Sequence, residues 1–559
     1  MGQQDDACLQ VPYSGMGSVA VEGACWALDR APGLLRQHWG FEGWAAHDKA
    51  CWSALTGEAR SRAKDTGPVS LVLWDSRPGF ERMARQALRA AGISLEPTFA
   101  APNDPGSAAA GASATHTLLC ADLSWVDDQA LATKAATLAQ LGQWTAALPQ
   151  GTCATVLAKD GLCDLVLGEP AERRQVMVGN ADATLCTYQT TARPQEQTVS
   201  LPGGEQTSVL VPASSQFVAR LSKVWKQRRK WATREDVSCY RVYDADLPDY
   251  AVSIDLFEGS ETPGSWLQIY EYAPPKGIDP TKAQARLLDV VSIAPRLLGV
   301  APQDTFVRVR TKAKGGSQYA DEGLRPTRQR QGRRRSSGPI LPPGAHLVDE
   351  GGLTFEVNFS TRLDCGIFLD HRDTRAMLRE MAKETKGSKR FLNLFAYTGT
   401  GSCYAADGGM RHTTTVDLSR PSLDWARRNM ERNGFTGPEH EYVQADVIAW
   451  VSEQRRTKNR WDLVFCDVPT FSNSRRMRTS AFDVQRDHAE LLIGVSRLLT
   501  RDGVCVFSCN LRSFKIDEAA LAKAGVAVED ITAQTIPEDF RRNPRIHSCF
   551  LVRRTPRTA

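Results

Sequence analysis

A chain of 559 residues exceeds what one ordinary core supports, so two to four domains are expected. With 42% hydrophobic and 24% charged residues the composition is that of a globular protein, and no apolar run approaches the roughly 18 to 20 residues that span a bilayer. Met1–Cys8 carries Asp5 and Asp6 instead of a basic, then apolar, leader, so a cytoplasmic protein with no membrane partner is expected. The 14 cysteines are scattered, with Cys505 and Cys509 the closest pair and no C-x-x-C, so neither a metal site nor a disulfide framework is expected.

Three blocks follow one another: 1–213, 214–343 and 344–559. The first is interrupted by an Ala-, Gly- and Pro-rich stretch from Ala100 to Ala114 that reads as a loop. The second opens with a basic helical segment, Phe217 to Trp231, carrying Lys223, Lys226, Arg228, Arg229 and Lys230. It continues through alternating segments, Tyr250 to Phe257 and Trp266 to Tyr272, that predict antiparallel strands, and so reads as a small α+β domain. It ends in a Gly- and Pro-punctuated run holding Arg325, Arg328, Arg330, Arg333, Arg334 and Arg335. Net charge is only +5, but both basic runs suit a polyanion as well as they suit a solvated face.

The third block alternates short apolar runs with helical patterns, which predicts a doubly wound parallel α/β sheet. Its strands are expected at Phe391 to Phe395, Thr413 to Asp417, Tyr442 to Ala445, Asp462 to Cys466 and Gly503 to Ser508. Helices are expected at Leu423 to Asn433, with Pro421 in the first turn and Gly434 closing it, and at Ala481 to Leu499.

Ligands of such sheets sit beyond the carboxyl ends of the strands. The residues found there are consistent with one nucleotide-like cofactor. A small-residue turn, Tyr397-Thr398-Gly399-Thr400-Gly401, follows the first strand and can bring backbone N–H groups to a polar ligand. Asp417 ends the second strand, where a carboxylate accepts from ribose hydroxyls, and Asp446 follows the third, either facing an adenine amino group or capping the next helix. The fourth runs into Cys466-Asp467-Val468-Pro469-Thr470-Phe471-Ser472-Asn473.

That last segment resembles the substrate loop of amino- and N7-methylating class I methyltransferases. Together with Phe391 to Gly399, Thr413 to Asp417, Phe482 to His488, Asp539 to Asn543 and the upstream Gly366 to Arg372, it resembles the C-terminal half of the bacterial fused 23S ribosomal RNA guanine methyltransferases. The resemblance implies a Rossmann-like fold, S-adenosyl-L-methionine as cofactor, 23S ribosomal RNA or a large-subunit precursor as partner, and methyl transfer to N7 of a flipped guanine. It implies cofactor contacts from Asp370, Arg372, Phe395, Tyr397, Thr398, Gly399, Asp417, Asp446 and Asp467. On the substrate side Asp467, Pro469, Phe471 and Asn473 are implied, with Phe471 stacking on the base while Asp467 and Asn473 bond its edge. Where the family has Asp-Pro-Pro this chain has Asp467-Val468-Pro469, one stiffening ring fewer. Cys239 to Pro248 and Tyr270 to Lys276 resemble the small RNA-holding domain of the same family.

The first block resembles the other, N2-methylating half through Asp29 to Gly33 and Trp39 to Asp48, but departs where chemistry resides. Tyr13-Ser14-Gly15-Met16-Gly17 replaces a Cys-Gly-Ser-Gly turn, the strand before it reads as missing or very short, and the RNA-binding module that precedes this half in the family is expected to be absent. Cys120-Ala-Asp-Leu-Ser-Trp125 stands where an Asn-Pro-Pro-Tyr loop belongs, while Asp75 keeps the ribose position. A degenerate, inactive methyltransferase-like domain is the expectation. Two rival functions are a cytosine-C5 methyltransferase using Cys509 as nucleophile and a catalytically silent RNA-binding or ribosome-assembly protein.

Overall fold

The computed structural model describes residues 6–100, 114–126, 131–159, 161, 163–190, 198–261, 263–272, 277–309, 341–360, 364–472 and 482–555. The interruption expected from Ala100 to Ala114 and the arginine-rich run at 325–335 lie almost wholly or wholly outside the described residues. The chain divides into two compact units, 1–219 with 274–297, and 220–273 with 298–559, so the middle block is shared between them.

In the second unit the strands Arg390–Leu394, His412–Asp417, His440–Gln444, Trp461–Val468 and Leu499–Cys509 are parallel, and Val526–Asp530 and Ser548–Arg554 complete a seven-stranded sheet by antiparallel pairing. Counted in chain order, the strands lie 3-2-1-4-5-7-6 across the sheet. Leu392, Leu394, Val464, Cys466, Cys505 and Phe507 are fully buried because both faces of the central strands are covered. The helix expected to start at Ala481 starts instead at Val484, where Asp483 caps it by accepting from Arg486 N–H. It stops at Ser496, so Leu499 begins the fifth strand opposite Trp461.

The middle block contributes a four-stranded sheet to this unit, with Val252–Gly259 and Gly264–Glu271 antiparallel as the alternation predicts. The hairpin Ala345–Glu350 and Leu353–Asn358 adds to the same unit.

The first unit carries a sheet of the same size and the same order, 3-2-1-4-5-7-6. One expectation is overturned here. The first strand is neither missing nor very short: Ala7–Pro12 spans six residues and pairs in parallel with both Val69–Trp74 and His116–Asp122. Its buried run Cys8, Leu9, Gln10, Val11 lacks the alternation of a one-sided strand because it lies at the centre of the sheet.

Candidate active site

A cavity of about 600 Å³ opens at the carboxyl ends of the parallel strands in the second unit. Its size is that of ordinary cofactor sites. Asp370, Phe395, Tyr397, Asp417, Asp446, Asp467 and Pro469 all line it, so seven of the expected residues meet in one place although the sequence spreads them over 100 positions.

The turn after the first strand puts Phe395 at φ 55° and Tyr397 at φ 48°, conformations that cost side-chain-bearing residues of order 1–3 kcal/mol each. The consequence is an oriented amide. Tyr397 N–H donates to Asp417 Oδ2 at 2.8 Å and Ser419 N–H donates to Oδ1 at 2.8 Å. Each carboxylate oxygen thus spends one lone pair on backbone and keeps capacity for a ribose hydroxyl. Burial holds the Asp417 carboxyl above its usual range. Asp446 caps the next helix, its carboxylate accepting from Ile448 N–H at 3.0 Å, and it also lines the cavity. This donor and acceptor set fits an adenosyl cofactor.

Three expected contacts are corrected, and a fourth residue, Phe471, stands at the rim. Arg372 is buried with its guanidinium on Asp539, donates to Cys239 carbonyl at 3.0 Å and lies over the Trp231 ring, so it braces the small sheet instead of lining the cavity. Thr398 turns inward and donates its hydroxyl to the Gly366 carbonyl. Gly399, at φ 71°, packs so closely on the following helix that an added Cβ would lie 2.6 Å from Ala426 Cβ. Thr398 and Gly399 therefore shape the turn without facing the cavity. Phe471 is 39% exposed and stands off the cavity wall, in the two-residue pairing of Phe471–Ser472 with Phe482–Asp483. Asn473 lies outside the described residues.

Sequence reasoning assigned no role to His371 and His547. Both are buried, their rings stack in parallel at 4.5 Å, and they flank Asp370: His547 Nδ1 is 3.3 Å and His371 Nε2 is 3.9 Å from Asp370 Oδ2. His371 Nε2 is also 3.5 Å from Asp467 Oδ1. Burial, with Asp370 nearby, pushes Asp467 up to about 7, whereas the His371 and His547 rings beside Asp370 outweigh burial there and hold it well below the carboxylate range. His371 was visible only as a neighbour of Asp370, and His547 sits in a segment with no periodicity to mark it.

Cys509 is fully buried in the apolar core, and burial pushes its thiol up to about 12. Such a thiol is protonated at neutral pH and a poor nucleophile.

In the first unit the equivalent turn, Tyr13 to Gly17, is built alike. Tyr13 has φ 58°, Gly15 N–H donates to Asp75 Oδ2 at 2.8 Å, and Gly17 caps the next helix at φ 89°. But Arg77 donates its backbone N–H to Asp75 Oδ1 at 2.9 Å and closes the carboxylate with its guanidinium, Nε at 3.1 Å and Nη2 at 2.9 Å. Tyr13 packs edge-on to Trp74 at 4.4 Å and to Trp125 at 6.1 Å.

The strand-end carboxylates, the strained turn and the sheet order define a Rossmann-like methyltransferase, and residues 336–525 match the family model of S-adenosylmethionine-dependent methyltransferases. The protein is an S-adenosylmethionine-dependent enzyme of that class. Ribosomal RNA large subunit methyltransferase K/L of Allochromatium vinosum is 38% identical over 571 residues, which cover 98% of this chain and 71% of that protein. The chain belongs to the K/L family of ribosomal RNA large subunit methyltransferases. Among solved structures, an S-adenosylmethionine-dependent methyltransferase from Streptococcus mutans is 18% identical with TM-score 0.43, covering 72% of this chain and 92% of that one. Another, from Agrobacterium tumefaciens, is 15% identical with TM-score 0.35, covering 55% and 88%.

Proposed function

We propose that the second unit methylates N7 of a guanine in 23S ribosomal RNA, in the cytoplasm, and that the first unit is a methyltransferase fold that no longer reacts. The observation that carries the first part is the cavity in which Asp417, Asp446 and Asp467 converge from successive strand ends. S-Adenosylmethionine supplies an electrophilic methyl group when bound. Asp417 holds its ribose, Asp446 its adenine, and Phe395 and Tyr397 wall the pocket, with Asp370 and Asp467 beside the reacting end. Guanine N7 needs no base, because its in-plane lone pair forms the N–CH3 bond as the S–CH3 bond breaks, and the purine takes the positive charge that leaves sulfur. The protein's work is alignment, worth several kcal/mol when the bound geometry is close to attack.

Asp467 and Pro469 face the target base. Phe471, on the rim, stacks on it or on a neighbouring nucleotide, and Asn473 completes the loop. The exposed Lys223, Lys226, Arg229 and Lys230 of helix Ser214–Glu235 suit RNA phosphates. The buried thiol of Cys509 disfavours the cytosine-C5 reading.

The test is methylation of ribosomal RNA from cells lacking the protein, followed by mass spectrometry of the nucleosides. N7-Methylguanosine is the expected product. N2-Methylguanosine or 5-methylcytidine in its place overturns the specificity, and no methylation with tight RNA binding favours an assembly protein.

A further inference from the structure

The reaction assigned above uses no proton transfer, yet four ionisable side chains with no assigned joint role meet at one end of the cavity. Asp467, His371, Asp370 and His547 form a continuous chain of carboxylate, imidazole, carboxylate and imidazole. The outer nitrogens of both rings are taken: His371 Nδ1 lies 3.3 Å from the Thr374 hydroxyl and His547 Nε2 lies 3.0 Å from that of Thr535. Only His371 Nε2 and His547 Nδ1 point into the array. A nitrogen facing a carboxylate is stable there only when it carries the proton, which sets an N–H on both.

We propose that His371 is a positioning residue for Asp467: its Nε2–H, placed between the Asp370 and Asp467 carboxylates, aims Asp467 at the target base, while His547 fixes Asp370 from the other side. This inference rests on the reading of Asp467 as the group beside the base. Its chemical logic follows from the charge that the purine acquires. A carboxylate held ionised beside the ring offsets that charge most strongly in the transition state, where orientation set in advance costs nothing further. Spacings of 3.5 and 3.9 Å are longer than closed hydrogen bonds, as catalytic contacts often are before substrate tightens them.

The surroundings support a held carboxylate. Arg375, from the helix Arg372–Glu384, donates to Glu350 Oε1 and Oε2, both at 2.7 Å, so its charge is mostly neutralised before it reaches His371. Cys466 on the same strand, Cys509 on the neighbouring strand and Cys549 on the strand beyond lie near Asp467 as un-ionised thiols. Asp467 thus faces no Lys or Arg in ion-pair contact among the described residues, and His371 Nε2 lies 3.5 Å from its Oδ1. Burial keeps His371 itself below the usual histidine range, so it stays neutral and serves as a donor.

The test compares His371→Leu, which removes the donor and keeps bulk, with His371→Gln, whose amide restores an N–H near Nε2. Methylation is followed from pH 5.5 to 9 alongside S-adenosylmethionine binding by calorimetry. Wild type should gain activity as pH rises through about 7, because the ionised Asp467 is the working form. His371→Leu should lose at least 30-fold in kcat, bind the cofactor within threefold of wild type and shift that limb upward, whereas His371→Gln should recover to within fivefold. If His371→Leu does not fold, His547→Gln decides in its place by the same upward shift. A His371→Leu enzyme with unchanged kcat and pH limb overturns the inference alone, as does an equal loss of cofactor affinity. Activity abolished by a chelator and restored by a divalent ion overturns it too, by making the array a metal site. A wild type that makes no N7-methylguanosine overturns the functional reading itself.

Discussion

Asp75 in the first unit and Asp417 in the second stand at the end of the second strand of two like-ordered sheets, and each receives two backbone N–H groups, from Gly15 and Arg77 in one and from Tyr397 and Ser419 in the other. Even the secondary contacts repeat: Ser14 N–H reaches the Trp74 carbonyl as Ala396 N–H reaches that of Val416. The difference is one side chain. Where Ser419 leaves the second carboxylate open, the Arg77 guanidinium fills the first, and its hydrogen bonds outweigh burial to hold Asp75 below the usual carboxylate range. Asp417, with no such guanidinium among the described residues, is held above it by burial. The same backbone turn thus frames an open carboxylate in one unit and an arginine-bound one in the other, so fold alone does not assign function.

The sharpest way to break this comparison is to remove each carboxylate. Asp417→Ala should weaken S-adenosylmethionine binding by about 100-fold, the cost of two charge-assisted hydrogen bonds. Asp75→Ala should leave affinity and a stoichiometry of one per chain unchanged in calorimetry. Two equivalents in the wild type, one of them lost in Asp75→Ala, would make the first unit a second cofactor site.

The next effect concerns stability without binding. Buried Asp289 accepts from Leu210 N–H at 2.7 Å, Val211 N–H at 3.0 Å and the Ser214 hydroxyl, all within the first unit. Asp289→Ala removes the acceptor that these donors share and should cost about 2–3 kcal/mol. Differential scanning calorimetry should show one transition fall while cofactor affinity stays within twofold. A matched fall in affinity would show that the first unit supports the site.

A smaller effect tests whether the turns are equivalent. Gly17 and Gly399 both cap helices with positive φ, and an added Cβ would lie 3.2 Å from Ala84 Cα and 2.6 Å from Ala426 Cβ. Substituting Ala at either should cost about 1–2 kcal/mol from backbone strain and crowding. Only Gly399→Ala should also weaken cofactor binding, several-fold, by moving the Tyr397 amide. A cost confined to one glycine would show that the turns differ in packing.

What was legible in the sequence followed from local rules. Strand runs and the carboxylates ending them gave Asp417, Asp446 and Asp467, because a short apolar run and the polar residue that ends it are local properties of the chain. Arg372, Thr398 and Gly399 are chain neighbours of cavity-lining residues, but the Arg372 and Thr398 side chains turn away and Gly399 packs on the next helix, and direction depends on packing against Asp539, Gly366 and Ala426. Asp370 and His547 meet across 177 residues, a juxtaposition that only the assembled sheet creates. The first strand of the first unit was overlooked since Gln10 and Pro12 interrupt its apolar run, although Gln10 is fully buried at the sheet centre.

The smallest expected effect is a pH dependence that separates the two carboxylates. Ribose hydroxyls donate to the ionised form of Asp417, so cofactor affinity should fall as pH is lowered, beginning above the ordinary carboxylate range because burial raises this group. The sign for stability is opposite in the two units. A raised carboxyl binds its proton more tightly when folded, so Asp417 costs stability as pH rises above its unfolded value and the cost is complete above its folded one. Asp75 is depressed, so its contribution is present above the unfolded value and lost only as pH falls through the lower folded one. Acid titration should therefore weaken cofactor binding several-fold before Asp75 ceases to support the first unit. Calorimetric affinities and far-ultraviolet circular dichroism recorded over the same pH series would separate the two, and loss of first-unit structure ahead of binding would reverse the assignment of which carboxylate is held by its own arginine.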